Sequence, residues 1–465
     1  MPREPGRYAA DMPTESQITL PDPLPHLRWS AASAAFQVEG ARTAGGRGRS
    51  IWDDWVETPG KVKDGATTEP GPDSYRRFPE DVSLAADLGL DRYRFGISWV
   101  RVLPDGTPAG VSQDGLDYYD RVVDSLLDAG VTPFPTLYHW DLPVGFEAAG
   151  GWLNRDTAER FRDYVEVVAQ RLGDRVKHWY TINEPAMTTL QGYGLGDLAP
   201  GRQELFGALP TAHHQLLAHA LAAPVLRSNG ADQVGLANNH THVLPLTDSP
   251  EDLMAAGVYN TIHNRLFAEP LLLGRYPELE ELGLPAMPVH PGDLELIKDS
   301  SDFYAVNFYN PTTVTAAPPG DPLPFDLVPT PGAPTTGFGQ EWPIVPQSLT
   351  ALLTDLERNY PDLPPVIISE NGASFPEPDT LADGEVVNDV DRIEYLKGHI
   401  EAVAVAQAAG VDIQEYTVWA LIDNFEWADG YTQRFGLTHV DMETGERTPK
   451  ASFEWLRRTI AAARS

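Results

Sequence analysis

The sequence predicts an α/β fold, a closed (β/α)8 TIM barrel forming a single domain. Eight short β-like runs recur along the chain, and stretches with helical apolar spacing separate them. Several of the runs, VIIS and DFYAVNF among them, are apolar almost throughout, as strands covered on both faces must be. Eight such units over one chain favour closure over an open doubly wound sheet.

The runs begin in order at Arg28 (RWSAASAAFQ), Asp91 (DRYRFGISW), Val131 (VTPFPTLYHW) and Arg175 (RVKHWYTINE). They continue at Gln233 (QVGLANNH), Ser301 (SDFYAVNFY), Pro364 (PPVIISENG) and Val411 (VDIQEYTVWAL). Helices are expected over Pro79–Leu88, Gly115–Ala129, Thr157–Leu172 and Asp391–Ala409, each stopped by a glycine that can take the left-handed conformation. Residues 1–22 are polar and proline-rich and are expected to form a flexible tail, leaving 23–465 as the catalytic barrel. One stretch, Ala316–Gly339, carries too much proline and glycine for a helix or a central strand. Following the sixth strand, it is expected as an insertion on the C-terminal face, where loops build active sites.

Composition narrows the partners. Of 465 residues 42% are hydrophobic, enough for a large core. Lys and Arg number 34 against 67 Asp and Glu, and a net charge of −33 repels nucleic acid and anionic membranes. The absence of cysteine removes disulfides, thiolate nucleophiles and cysteine metal centres. No metal or cofactor is expected. No apolar leader or spanning segment is apparent, so a cytoplasmic protein is expected. Either a monomer or a homo-oligomer is compatible with the sequence.

In a barrel the strand C-termini converge on one pocket. Here all eight ends carry polar or aromatic groups: Gln37 and Glu39; Arg94; His139 and Trp140; Asn183 and Glu184; Asn239 and His240; Asn307 and Tyr309; Glu370 and Asn371; Trp419, followed by Asp423, Asn424, Glu426 and Trp427. Burying so many amides and carboxyls is costly unless they act together. Glu184 and Glu370 close apolar strands on opposite sides of the barrel mouth. Paired carboxylates are what glycosidic cleavage requires, one to protonate the leaving oxygen and one to meet the anomeric carbon. A gap of about 5–5.5 Å retains configuration, and roughly 6.5–9.5 Å inverts it. Trp140, Trp419 and Trp427 offer flat surfaces for sugar C–H faces, and Gln37, His139, Asn183 and Glu426 offer hydrogen bonds for the hydroxyl rim.

These motifs, AASAAFQVEG, YRFGISW, YHWDLP, TINEP, NFYNP, ISENG and DNFEWADGYTQRFGL, stand in the order found in glycoside hydrolase family 1. The chain resembles the β-glucosidases of that family over roughly residues 25–460. The resemblance implies retaining double displacement, with Glu184 as acid/base and Glu370 as nucleophile. It implies that Arg94 and Tyr309 hold the nucleophile, with Asn307 supporting, and that Asn183 meets the 2-hydroxyl. Gln37, His139, Trp140, Trp419, Glu426 and Trp427 then form the sugar cage, and Phe435 its apolar wall. Arg94 is expected to keep the Glu370 pKa low, while burial and the Glu370 charge raise that of Glu184. A β-galactosidase, a β-fucosidase, a glycosyl transferase to other acceptors and a catalytically dead sugar-binding barrel are the alternatives. The dead barrel is disfavoured because both glutamates are present.

The sequence departs from the family pattern at Ser369, where Thr is more usual, at Gly96, where Ser is usual, and at Glu415, where Gly is common. Relatives acting on 6-phosphoglycosides carry a small residue in place of Glu426 and a nearby Lys. This chain keeps Glu426, so a neutral sugar is expected. Gly192–Asp197 lacks the order of a dinucleotide loop and reads as a loop beside Glu184, and Gly45–Ser50 is an equally weak phosphate cradle. His213, His214 and His219 lack zinc spacing and are expected to be structural. Asn239–Thr241 matches a glycosylation sequon without a secretion signal to go with it.

Overall fold

The computed structural model describes residues 19, 21–22 and 24–464, so most of the expected tail lies outside the described residues. The barrel strands are β1 (Arg28–Ala32), β2 (Arg92–Gly96), β3 (Thr132–Tyr138), β4 (His178–Asn183), β5 (Gln233–Asn239), β6 (Tyr304–Asn307), β7 (Val366–Asn371) and β8 (Ile413–Trp419). Each pairs in parallel with its sequence neighbours, and β1 pairs with β8 to close the ring. All eight fall within the runs expected from the sequence. Strands β2, β6 and β7 are buried at every residue, because helices cover the outside and side chains fill the inside.

The outer helices are α1 (Ser74–Leu88), α2 (Gln113–Asp128), α3 (Asp156–Leu172), α4 (Pro210–Ser228), α5 (Pro250–Asn260), α6 (Gln347–Asn359), α7 (Val390–Ala408) and α8 (Ala451–Ala463). Helix α1 corrects the expected start at Pro79: it begins five residues earlier and carries Pro79 in its interior. Phe134 and Tyr180 stack at 4.2 Å and, with Ala237, Phe303, Ala305 and Ile367, form one buried cluster. Glu415 belongs to this buried layer, since Arg92 holds it at 2.8 Å. Gly96 is a packing requirement: a Cβ there would sit 2.4 Å from the backbone nitrogen of Ala35.

Two expected loops carry regular structure. Within Ala316–Gly339, Phe325–Val328 pairs antiparallel with Thr312–Ala316, while Thr335–Thr336 pairs with Gly339–Pro343. Gly192–Asp197 is not a plain loop, because the π-helix Thr188–Leu195 runs through it. The helix-borne histidines are structural: His213 meets Asp293, His214 the Trp152 carbonyl and His219 the Thr181 hydroxyl. Among the described residues no helix is long and apolar enough to cross a membrane.

Candidate active site

A cavity of about 300 Å³ opens at the C-terminal end of the barrel. His139, Trp140, Glu184, Tyr309, Glu370, Trp419, Glu426, Trp427 and Phe435 line it. Arg94, Asn183, Asn307 and Gln37 stand behind this lining and are fully buried. The structure thus brings together all the site residues expected from the sequence, in two layers. Arg94 lies mid-strand in β2 and reaches the site by its length, whereas the carboxylates sit at strand ends. Glu39, Asn371 and Asp423 turn elsewhere: Glu39 to Arg101, Asn371 to the Phe308 carbonyl, and Asp423 to Lys450.

Glu370 is gripped from two sides, by Arg94 Nη1 at 2.6 Å from Oε1 and by the Tyr309 hydroxyl at 2.5 Å from Oε2. Burial pushes its pKa up, and Arg94, Tyr309 and Asn307 oppose that push. This corrects the expectation of a low value: the guanidinium offsets desolvation without overcoming it. Glu184 has no cation of its own. It accepts from Asn307 Nδ2 at 2.7 Å and Asn239 Nδ2 at 3.0 Å. Burial first, then the Glu370 charge, push it up to about 7. Of the two, Glu370 alone is paired with a guanidinium that favours its ionised form. Asn307 links the two carboxyls' surroundings, donating to Glu184 Oε1 at 2.7 Å and accepting from the hydroxyl of Ser369, the residue before Glu370, at 2.7 Å.

Strand geometry aims these groups. Asn183 is the last residue of β4, and Glu184, immediately after it, takes φ 47°. Trp140 and Trp427 also have positive φ, at 78° and 45°. Such conformations are costly for large side chains and cluster where a site imposes them.

A chain of donors orients the Asn183 amide and the His139 imidazole beside the cavity. Arg94 Nη2 and Asn307 Nδ2 both donate to Asn183 Oδ1, at 2.6 and 3.0 Å, so the Asn183 amide must turn its NH2 the other way. That NH2 meets His139 Nε2 at 3.0 Å. His139 is neutral, since burial and Arg94 hold its pKa well below the usual range. Its Nε2 is then the acceptor, and its proton sits on Nδ1. That Nδ1 is buried and has no protein partner, as are Gln37 Oε1 and Glu426 Oε2. Three orphaned polar atoms, on three residues that the sequence led one to expect around a sugar, suit a ligand with hydroxyl groups. Around them, Trp140 packs 4.5 Å from Trp427, His139 lies 5.8 Å from Trp419, and Trp52 backs Trp427 at 4.4 Å.

Sequence reasoning missed part of the outer pocket. Phe338 and Trp342 stack at 4.5 Å, and each lies within 6 Å of Phe435. Phe338 falls inside the flagged insertion, and Trp342 lies just past its boundary. Met187 and Gln191 come from the helical turn after Glu184, and Tyr259 and His263 from α5 and its π-helical continuation. Their i, i+4 spacing carries no catalytic signature.

A closed parallel barrel presenting two buried carboxyls of unlike surroundings within an aromatic, hydroxyl-binding pocket is the construction of a glycoside-cleaving enzyme. A family profile described as glycosyl hydrolase family 1 matches residues 19–464. A 1,4-β-D-glucan glucohydrolase from Thermotoga neapolitana is 40% identical over 93% of this chain and 96% of its own. A bifunctional β-D-glucosidase/β-D-fucosidase from Bifidobacterium breve is 41% identical over 93% of this chain and 97% of its own. The crystal structure of a psychrophilic β-glucosidase from Micrococcus antarcticus superposes with a TM-score of 0.90 at 42% identity, covering 98% of this chain and 100% of that one. The chain belongs to glycosyl hydrolase family 1 and is a glycosidase of the β-glucosidase type.

Proposed function

We propose that Glu370 is the nucleophile and Glu184 the acid/base in retaining hydrolysis of terminal, non-reducing β-D-glucosyl residues from β-glucosides and short β-gluco-oligosaccharides. The observation that carries the reading is the contrast between the two carboxyls: one pinned by a guanidinium and a phenol, the other left to amides and pushed to about 7. Glu370 Oε attacks the anomeric carbon while Glu184 gives its proton to the departing oxygen, and a glycosyl ester forms. The ester has no charge, so the second-largest cause raising Glu184 disappears and its pKa falls. It then takes a proton from water, which attacks the same carbon and releases β-glucose.

His139, Gln37 and Glu426 meet the glucose hydroxyls, Asn183 the 2-hydroxyl, and the tryptophans with Phe435 the ring faces. A phosphorylated sugar is disfavoured because Glu426 stands where relatives acting on 6-phosphoglycosides carry a small residue, and no lysine lines the cavity among the described residues. The relative from Bifidobacterium supports a second sugar, a β-D-fucoside. The barrel over 23–465, the tail at 1–22 and a cytoplasmic location belong to the same proposal, and cell fractionation with limited proteolysis tests them.

Proton NMR of an aryl β-D-glucoside during the first minutes of turnover is the deciding experiment. β-Glucose as the first product is expected. α-Glucose first would overturn Glu370 as nucleophile.

A further inference from the structure

We propose that His263 is a positioning residue for Glu184: by donating from Nε2 to Asn239 Oδ1, it holds the Asn239 NH2 against the Glu184 carboxyl. The inference rests on the reading of Glu184 as acid/base and adds to it a residue that acts on Glu184 through Asn239.

Three amides surround the carboxyl pair, and two are locked. Asn183 Oδ1 accepts from Arg94 and Asn307. Arg94 is a permanent donor, so that amide cannot turn over. Asn307 is locked in turn, since its NH2 serves Asn183 Oδ1 and its oxygen accepts from the Ser369 hydroxyl at 2.7 Å. Asn239 differs. Its NH2 lies 3.0 Å from Glu184 Oε1, while its oxygen has one partner, His263 Nε2, at 2.8 Å. Its orientation is therefore only as fixed as the tautomer of that imidazole.

His263 is buried, and burial together with His240 keeps it neutral, at about 3. It has one N–H to place. With the proton on Nε2, Nδ1 accepts from the Tyr259 hydroxyl at 3.2 Å and every group is satisfied. With the proton on Nδ1, the bare Nε2 would draw the Asn239 NH2 toward itself and turn the amide oxygen onto Glu184. An amide oxygen there stabilises a protonated carboxyl, and an amide NH2 stabilises an ionised one. The tautomer thus biases the acidity of the group that must give and take a proton in each turnover.

The other titratable groups facing this pair are accounted for. Arg94 from β2, Glu370 from β7, Tyr309 beyond β6 and Glu426 beyond β8 face Glu184. His240 at the end of β5 and Tyr259 on α5 face His263. Among the described residues His263 alone donates to Asn239 Oδ1.

Imidazole 15N NMR of the intact enzyme, with the signal assigned by its loss in His263→Gln, reads the tautomer. A proton on Nε2 is expected, and a proton on Nδ1 overturns the proposal. The pH profile of kcat/KM for an activated aryl β-D-glucoside supplies the second reading. His263→Phe should move the alkaline limb up by roughly half to one pH unit, while His263→Gln, whose amide nitrogen can donate to the same oxygen, should leave it in place. A limb unmoved by Phe, or moved equally by both, overturns the positioning role. Glu184→Gln separates the two claims. If the alkaline limb persists in that variant, the assignment of Glu184 fails and the positioning role falls with it. If the limb vanishes there yet stays put in His263→Phe, only the positioning role fails.

Discussion

Glu370 and Glu184 are the same residue type in one cavity, and their neighbours divide the labour between them. Replacing Glu370 by Gly removes the attacking oxygen and should lower kcat by roughly 10⁴-fold or more. It also leaves a hole beneath the anomeric carbon, beside Arg94. Azide entering there attacks from the face Glu370 used, so activity with an activated β-glucoside should return and the product should be the α-glucosyl azide. A β-azide, or no rescue by any small anion, would count against the role. Glu184→Ala removes only proton transfer. Activated aryl glucosides should lose little in the first step, and poor leaving groups at least about a hundredfold. Equal losses across leaving groups would remove Glu184 as the acid.

At the scale of elements, the segment between β8 and α8 supplies Glu426, Trp427 and Phe435 to the cavity lining and is anchored by buried charge. Lys450, just before α8, lies 2.8 Å from Asp423 and 2.6 Å from Glu377, and Arg392 and Arg434 complete the cluster. Asp423 also accepts from the backbone of Gly436, next to Phe435. Lys450→Met would leave two buried carboxylates without this cation, at a cost of roughly 3–5 kcal/mol. Calorimetry should show a lowered Tm, and adding Asp423→Asn should recover part of it. A Tm unchanged in Lys450→Met would show that the cluster does not anchor the segment. The hairpin carrying Trp342 lines the outer part of the cavity beside Phe435, where the leaving group is expected to meet it. Trp342→Ala should raise KM for aryl glucosides about tenfold while leaving glucosyl fluoride, which has no aglycone ring, nearly unaffected. A similar loss for both substrates would place Trp342 in the sugar cage instead.

Across the whole molecule, burial of histidines sets the acid limit. Burial pushes His178, His214, His240 and His399 to about 4, and His219 and His263 to about 3. The unfolded chain, with histidines near 6.5, binds more protons than the folded one between about pH 4 and 6.5, so stability falls as pH drops through this window. Glu184 and Asp141, both pushed to about 7 by burial, and Glu426, Glu370, Glu415 and Asp81, raised by burial as well, act in the opposite sense, but the lowered histidines, with His139, His213 and His242 added, are nine against six. Tm should therefore be lower at pH 5 than at pH 7, with net proton uptake on unfolding. A Tm that rises on acidification would contradict this balance.

The sequence by itself determined the barrel, its strand order and the residue types that gather at its mouth. Apolar runs of strand length at regular spacing leave few ways to bury both faces of a sheet, and the chemistry of sugar cleavage demands residue types that stand out at strand ends. Tertiary structure alone decided what depends on distant partners meeting. Pro79 sits inside α1 because the helix begins earlier, at Ser74, where packing overrode the local signal. Glu415 pairs with Arg92, two strands away in the ring and far along the chain. Trp342 reached Phe435 only when the hairpin folded over the mouth, and His263 reached Asn239 from another element. The Glu370 pKa rose instead of falling because desolvation is a property of the assembled core, which a list of neighbouring residue types does not contain.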